Sequence, residues 1–325
     1  MTRTRDGQRD RDDLRSSRCA RFAVLLVGLG GLAACSPGPN DGGGPSQKPS
    51  VDLAIITVIP EEYRAVVRKL DRVTHDSGSS ASPNRFAWGV GEIASPRHRT
   101  PYRVVVALAG EAGMVSGALA TQRTIAAWNP RHVLVVGVAG GVAENVARGD
   151  VVISTAVWGY EYGSLDDRFV PRHDFTYRPD GDLLRSATTL EADWQQSIEV
   201  EPPVPTRPKA VAGQVGSGNK VIETRDSDFY RQVIEANPGI VAVEMEGAGA
   251  AAAAEEARGA GTTVGFLMIR GISDIPHRAA ARGGPGRLMD KPDREQWKDY
   301  AADASASFAA SLVRHNWPIP PRAVP

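Results

Sequence analysis

Residues 240–247, IVAVEMEG, join an apolar strand pattern to two carboxylates, Glu244 and Glu246, which flank Met245. A carboxylate can accept hydrogen bonds from sugar hydroxyls, take a proton from water or, when protonated, donate one to a leaving group. An alanine-rich helix pattern follows at once, so Glu246 could have only a structural role, as an acid in the first turn that interacts favourably with the helix dipole. One acid at such a position usually has that structural explanation.

A second run of the same type is VGFLMIRGISD, residues 264–274. It ends in the hydroxyl of Ser273 and the carboxyl of Asp274, and we expect Arg270 to have a structural role. Acids at the ends of buried strands cost free energy unless they are paired or used, and in open α/β sheets ligands bind at the carboxyl ends of the strands. Two such strand ends on one chain favour a binding or catalytic site.

A third carboxylate follows the first strand pattern of the domain. Residues 51–59, VDLAIITVI, predict a buried strand, and Pro60 begins a helix with Glu61 and Glu62 in its first turn. Two acids there suit the helix dipole, which is the default explanation from the residues alone.

The elements that must position these side chains predict one large α/β domain, for which a hydrophobic content of 42% is sufficient. Further strands are predicted at 103–109, 133–138 and 151–157, a strand and a loop at 211–222, helices at 60–70, 115–128, 182–198 and 293–314, and loops or a hairpin around 86–90. Turns are expected at 110–113 and 139–141, where glycines let backbone amides approach a ligand. The stretch 163–208 is predicted to be a long irregular insertion, either a lid or a surface excursion.

The composition excludes several classes of partner. Basic and acidic residues number 38 each, which gives no bulk electrostatic attraction to nucleic acid. The two cysteines, Cys19 and Cys35, precede the domain, so neither an internal disulfide nor a thiolate metal site is expected in it. We expect no nucleic-acid partner, no metal and no cofactor.

The amino-terminal region predicts export. A basic segment precedes the apolar run 22–34, which is shorter than the roughly 20 residues of a membrane-spanning helix. The sequence LAAC at 32–35 resembles a bacterial lipobox, with Cys35 as the lipidated residue and the extracytoplasmic face of the cell membrane as the location. An ordinary cleaved signal, or a start assigned too early, are the alternatives. The predicted organisation is a signal peptide (1–34), a flexible linker (35–50), the domain (51–315) and a Pro-rich tail (316–325).

Several of these motifs, in their order and spacing, resemble one family. VEMEG at 243–247 and RGISD at 270–274 are similar to the signature pair of the purine nucleoside phosphorylase and 5′-methylthioadenosine/S-adenosylhomocysteine nucleosidase superfamily, and VVGVAGG at 135–141 and GDVVIS at 149–154 match as well. The resemblance runs from about residue 51 to residue 315. It implies a three-layer α/β fold, with a central mixed, mostly parallel sheet flanked by helices, a homodimer, and hydrolysis of the N-ribosidic bond of a purine or 5′-thio-purine nucleoside.

The resemblance also implies roles for single residues. Asp274, aided by Ser273, would protonate the leaving base, and Glu62 would take a proton from the attacking water, as in glycosidases that use two carboxyl groups. Contacts to the substrate are implied for the remaining candidates, with Glu246 holding the ribose hydroxyls: Ile59, Gly113, Ala139, Gly140, Val221, Ile222, Glu244, Met245 and Glu246.

One position departs from the family pattern. Adenine-specific nucleosidases carry a stacking Phe two residues before the position of Glu223, and this chain has Val221 there, which leaves the base unidentified. A phosphorolytic enzyme of the same fold is one alternative, although Glu62 would repel phosphate. A lipid-anchored binding protein or sensor is another, although simple binding does not require both Glu62 and Asp274.

Overall fold

The computed structural model describes residues 49–76, 86–277 and 293–323. The chain separates into two units, Met1–Ser46 and Gln47–Pro325, and the description below concerns the second. The predicted signal peptide and Cys35 lie outside the described residues. Within those residues, no helix combines the length and the apolar character needed to cross a membrane.

The domain alternates strands and helices along the chain. The strands are β1 (Leu53–Thr57), β2 (Asp71–Asp76), β3 (Ala87–Ile93), β4 (Tyr102–Leu108), β5 (His132–Gly141), β6 (Val151–Gly159), β7 (Gly163–Leu165), β8 (Phe169–Pro171), β9 (Thr176–Tyr177), β10 (Ala210–Ser217), β11 (Ile240–Glu244) and β12 (Gly265–Asp274). The α-helices are α1 (Pro60–Arg68), α2 (Met114–Trp128), α3 (Gly181–Thr188), α4 (Gly247–Gly259) and α5 (Asp293–Asn316), with a 3₁₀ turn at Trp194–Ser197 and a π-helical segment at Tyr230–Glu235.

The main sheet has the strand order β11-β10-β6-β12-β5-β1-β4-β3-β2. Because β11 also pairs with β5, the strands β5, β12, β6, β10 and β11 form a closed ring. The pairs β4–β1–β5–β12 and β6–β10–β11 are parallel, whereas β12–β6, β11–β5 and the β2–β3–β4 edge are antiparallel. The sheet is therefore mixed, as predicted, with more antiparallel pairing than a mostly parallel sheet implies.

Helices cover both faces of the sheet and make the third layer. One face packs against α1, α3 and α5 around Val66, Leu183 and Phe308, and the other against α2 and α4 around Ile125 and the alanines of α4. The predicted stripe on α5 is buried along its whole length: Trp297, Tyr300, Ala304, Phe308 and Leu312. The three-layer α/β fold predicted from the sequence is confirmed.

One predicted boundary was wrong, and it concerns a strand that leads to the candidate residues. The expected turn at 139–141 is the last part of β5, which runs to Gly141 because its end pairs with β11. The run predicted at 264–274 forms β12, which ends at Asp274 and pairs with the same part of β5. The ring thus extends β5 beyond its apolar core.

The 163–208 stretch is more ordered than predicted. It holds the β7–β8 hairpin, β9 and α3, and its 3₁₀ turn packs Trp194 against Phe308 of α5 at a ring separation of 5.5 Å. The backbone N–H groups of Glu199 and Val200 donate to the buried carboxylate of Asp303 at 2.5 and 3.0 Å. The segment 181–200 is therefore an integral part of the α5 layer.

The tail after α5 packs back onto the start of the domain. Trp317 is buried, and Tyr102 donates its hydroxyl hydrogen to the carbonyl of Ile319 at 2.8 Å. The backbone N–H of Arg322 donates to the carboxylate of Asp52 at 2.7 Å, and its guanidinium donates to the carbonyl of Val51 at 3.1 Å. The folded unit thus extends past the predicted boundary at residue 315.

Candidate active site

The carboxyl ends of β1, β5, β11 and β12 meet at one edge of the sheet and enclose a cavity of about 190 Å³. Each predicted carboxylate arrives there from a strand end or from the helix that follows a strand. The side chains and backbone that line the cavity are those of Val58, Ile59, Glu62, Ala112, Val138, Ala139, Gly140, Lys220, Val221, Ile222, Val243, Glu244, Met245, Glu246, Ser273, Asp274 and Arg294.

Glu62 is held by the start of its own helix. Its Oε2 accepts the backbone N–H groups of Val58 and Ile59 at 2.8 and 3.3 Å, and its Oε1 accepts the N–H of Val138 at 2.9 Å. Only 3% of the residue is exposed. The carboxylate therefore both caps α1 and joins β1 to β5, so the default structural explanation and the position in the cavity apply to the same side chain.

Arg270 lies fully buried behind the cavity and faces three glutamates. Its Nη2 pairs with Glu244 and lies 3.3 Å from Oε2 of Glu246, while Nη1 lies 3.8 Å from Oε1 of Glu62. The neighbouring carboxylates raise the pKa of Arg270 against the opposing effect of burial. One guanidinium therefore supplies the positive charge that lets three acids share a dry site.

Glu244 is tied to the turn that begins α4. Its carboxylate accepts the N–H of Glu246 at 3.0 Å and that of Gly247 at 2.8 Å, in addition to the pair with Arg270. These bonds fix the direction in which the next carboxylate points. A direct contact of Glu244 with substrate stays a prediction.

Glu246 is the acid whose ionisation is most affected by its surroundings. Burial raises its pKa to about 7, and the charges of Glu244 and Glu62 act in the same direction, against the lowering effects of Arg270 and of the Gly113 N–H. That N–H donates to Oε1 at 3.0 Å. Gly113 has a φ of 116°, a conformation that other residues rarely adopt, so glycine is needed where this bond forms.

A second glycine makes room for the acids. A Cβ atom on Gly137 of β5 would overlap both Oε1 of Glu62 and Nη1 of Arg270. A side chain at this position would therefore separate the two groups or displace them from the cavity wall. The motif VVGVAGG contains this requirement, although the sequence drew attention to its last two glycines instead.

Ser273 and Asp274 form a pair at the end of β12. The Ser273 hydroxyl donates to Oδ1 of Asp274 at 2.6 Å and lies 3.4 Å from the carbonyl oxygen of Ala139. If the carboxyl carries a proton, the hydroxyl can accept from it and turn towards the carbonyl. This geometry suits an acid that changes its protonation state during a reaction.

The loop 219–221 at the cavity contains no aromatic residue on which a base could stack. Val221 is 56% exposed, and Lys220 beside it pairs with Glu161 and lies 5.2 Å from the ring centre of Phe229. Asn219 donates to Glu161 at 3.0 Å and accepts the N–H of Met114. The side-chain network therefore joins this loop to α2.

The structure brings together every predicted site residue except Gly113, which lies behind Glu246, and Cys35, which is outside the described residues. Sequence reasoning missed Gly137 and Arg294, and it gave Arg270 a structural role without identifying the acids that it faces. Three predicted acids require a counter-ion, and this requirement could have pointed to Arg270. A glycine inside a strand pattern often marks a close approach, and this signal could have pointed to Gly137. Nothing in the sequence connected Arg294, in the first turn of the core-facing helix α5, with the cavity.

The arrangement offers one acid paired with a serine, one acid held by backbone amides, and one acid with a pKa near neutrality. Such a set can move a proton at two points of a substrate and bind hydroxyl groups between them. Within the described residues, no group of three or more His, Cys, Asp and Glu side chains is placed to hold a metal ion.

Comparisons with known proteins agree with this geometry. A model of the phosphorylase superfamily matches residues 52–314. The 5′-methylthioadenosine/S-adenosylhomocysteine nucleosidase of Listeria monocytogenes is 32% identical over 201 residues, 59% of this chain and 74% of that protein. The ATP nucleosidase Cap17 of Escherichia coli is 26% identical over 282 residues, 82% of this chain and 51% of that protein.

A solved structure with the same fold is the 5′-methylthioadenosine/S-adenosylhomocysteine nucleosidase of Neisseria meningitidis in complex with methylthio-immucillin-A. It superposes with a TM-score of 0.59 at 23% identity, and the match covers 81% of this chain and 98% of that one. The family model spans most of the folded unit and includes every element that lines the cavity. The chain therefore belongs to the phosphorylase superfamily.

Proposed function

We propose that the protein hydrolyses the N-ribosidic bond of a purine or 5′-thio-purine nucleoside. The observation that carries this proposal is that Glu62, Glu246 and Asp274 line one cavity at the strand ends. The similarity to nucleosidases over most of the folded unit supports it.

The leaving base requires an acid. Cleavage of the bond places positive charge on the sugar and negative charge on the base, and a protonated Asp274 neutralises the base at a ring nitrogen. The Ser273 hydroxyl orients that carboxyl at 2.6 Å. Proton donation to a leaving group contributes on the order of a hundredfold to ten-thousandfold in rate.

The opposite side of the sugar requires water and acceptors. Glu62, fixed by three backbone N–H groups, takes a proton from the attacking water, while Glu246 accepts hydrogen bonds from the ribose hydroxyls as a charged acceptor. Arg270 is fully buried behind the cavity and faces three carboxylates, and those negative charges would repel a phosphate nucleophile there. Water is therefore the favoured nucleophile.

The decisive experiment incubates residues 47–325, the second unit, with a nucleoside panel in the presence and absence of phosphate. We expect free base and free ribose or thioribose at a rate that is independent of phosphate. Ribose 1-phosphate as the product would identify a phosphorylase, and tight binding without turnover would identify a binding protein or sensor.

We also propose that the chain is a lipoprotein, anchored through Cys35 at the extracytoplasmic face of a bacterial cell membrane. The support is the apolar run followed by LAAC at 32–35 and a Gly/Pro-rich linker. Two or more acyl chains on one cysteine give stable anchoring. Cys35→Ala should abolish acyl labelling and membrane retention. Retention of that variant with an uncleaved amino terminus would refute the proposal.

A homodimer is the third part of the proposal. Val115 and Leu119 of α2 are 72% and 43% exposed, and both border a second hollow, of about 410 Å³, next to Gly113. Apolar exposure of this kind suits a subunit contact. Sedimentation should give a dimer for the wild type and a monomer for Val115→Asp/Leu119→Asp, whereas an unchanged mass would exclude α2 from the contact.

A further inference from the structure

Arg294 is a cation of the cavity wall for which the reaction described above has no use. It is one of two basic residues that line the cavity, the other being Lys220, and Arg270 lies buried behind the wall. Arg270 faces three glutamates and Lys220 pairs with Glu161, so both of those charges are compensated. The charge of Arg294 is the one to explain.

Among the described residues, Arg294 has neither an ion pair nor a hydrogen bond through its side chain. Glu295, the next residue of the helix, pairs with Lys298 at 3.1 Å, and Glu61 of α1 lies 3.5 Å from the same lysine. A guanidinium that is half-buried in the wall of a substrate cavity therefore keeps its donors for another group.

Local stability does not account for an arginine here. Arg294 lies in the first turn of the 24-residue helix α5, where the helix dipole disfavours a positive charge. The apolar anchors of this helix begin three residues later, with Trp297. The position therefore contributes nothing to the core and is unfavourable for the helix, as expected for a residue placed for binding.

We propose that Arg294 binds an oxyanion, a phosphate or a carboxylate, carried by the substrate. This inference rests on the proposed nucleosidase function. In the proposed binding mode, Asp274 and the loop 220–222 contact the base, and Glu246 contacts the ribose hydroxyls. The 5′ carbon is then the remaining position of the nucleoside that can carry a charged group. A planar guanidinium binds such groups through two parallel hydrogen bonds, which selects against uncharged nucleosides.

Free phosphate could bind Arg294 through the same hydrogen bonds as an oxyanion on the substrate, and the experiment below distinguishes the two ligands. A free phosphate that attacks the anomeric carbon would have to lie among Glu62, Glu244 and Glu246, and like charges make that position unfavourable. An oxyanion at the end of a 5′ substituent is kept away from those acids by the sugar. The structure therefore favours a charged substrate.

The test compares a nucleoside with its own 5′-monophosphate and with S-adenosylhomocysteine, using the wild type, Arg294→Ala and Arg294→Lys. We expect the ratio of kcat/KM for charged over uncharged substrate to fall roughly tenfold to a hundredfold in Arg294→Ala, the loss of one charge-assisted hydrogen-bond pair. Arg294→Lys should fall between them. Arg99→Ala, which removes an exposed arginine outside the cavity, is the matched control and should keep the wild-type ratio.

The outcomes separate this inference from the proposed function. An unchanged ratio in Arg294→Ala overturns the inference even if hydrolysis is normal. If inorganic phosphate accelerates cleavage and Arg294→Ala abolishes the acceleration, Arg294 is an oxyanion residue but the enzyme is a phosphorylase. If the wild type cleaves nothing, calorimetry with the nucleoside and its 5′-monophosphate tests the inference alone: equal affinity of wild type and Arg294→Ala for the monophosphate overturns it.

Discussion

At the scale of single residues, the three acids to which we assign separate roles differ mainly in what surrounds them. Asp274 has a serine hydroxyl beside it, Glu62 has three backbone amides, and Glu246 has one amide and a shared guanidinium. The tasks can therefore be removed one at a time.

Asp274→Asn should bind nucleoside and lose most of its turnover, because an amide cannot give a proton to the leaving base. We expect kcat to fall by roughly a hundredfold to ten-thousandfold, with a dissociation constant close to that of the wild type. Stopped assays give the first value and calorimetry the second. Near-normal hydrolysis across the pH range would assign the acid to another group.

Glu246 should give the enzyme a rising pH profile. Because burial holds its pKa at about 7, the carboxyl is neutral below that pH and becomes the charged acceptor of ribose hydroxyls above it. We expect kcat/KM to increase with pH through about 7. Glu246→Gln should have a higher KM, and its kcat/KM should not increase with pH through about 7. If the variant keeps this increase, Glu246 is not the group that causes it.

Val221→Phe should test where the base lies. The added ring gives a stacking face worth about 0.5–1.5 kcal/mol beyond its buried area if the base is in contact with position 221. We expect tighter binding of adenine nucleosides, measured by calorimetry against Val221→Leu as the control of similar size. Equal base preference in both variants would remove this position from the base site.

Much of the site could be predicted, because signature residues at strand ends are local in sequence. The acids and the serine lie in short motifs at strand ends: Glu62 and Glu246 stand where a helix follows a strand, and Ser273 and Asp274 end β12. Arg294 could not be predicted because 19 residues separate it from Asp274 and its own helix is otherwise a core stripe. The sharing of Arg270 by three acids likewise depends on distances across the sheet, which a single sequence does not contain.

At the scale of elements, the order and type of helices and strands followed from periodicity, while the ring did not. The pairing of β11 with both β10 and β5 is a long-range property, and it lengthens β5 beyond its apolar run. The 181–200 segment joins the α5 layer through a polar contact that no hydrophobic pattern indicates.

Asp303→Asn should show how much that contact contributes. The carboxylate is fully buried, accepts two backbone N–H groups and lies 2.9 Å from Nζ of Lys69, which is itself only 6% exposed. Removing one partner of a buried pair costs about 3–5 kcal/mol, so we expect a loss of that order in the free energy of unfolding. Glu199→Gln is the matched control: this exposed acid touches the same lysine and should cost less than about 1 kcal/mol. Equal losses would mean that the buried acid has no special role.

At the scale of the whole molecule, the carboxyl-terminal tail closes the fold. Deleting residues 317–325 removes the buried Trp317 and the bonds of Arg322 to Asp52 and Val51. Loss of a buried tryptophan alone costs about 3–5 kcal/mol, so the melting temperature should fall clearly, whereas deletion of 323–325 should leave it unchanged. Because none of the described tail residues lines the cavity, kcat per folded molecule should be retained; a loss of kcat at full folding would contradict this separation.

The same tail brings the carboxyl-terminal end of the folded unit next to its amino-terminal end, at the amino end of β1. Arg322 binds beside Asp52, at the amino end of β1, and Val58 and Ile59 of the cavity lie just beyond the carboxyl end of that strand. At about 3.3 Å per residue of an extended strand, Asp52 and Val58 are roughly 20 Å apart. A resin or a fused partner joined directly to either end of this unit is thus attached on the side away from the candidate cavity, which stays reachable by diffusing solutes.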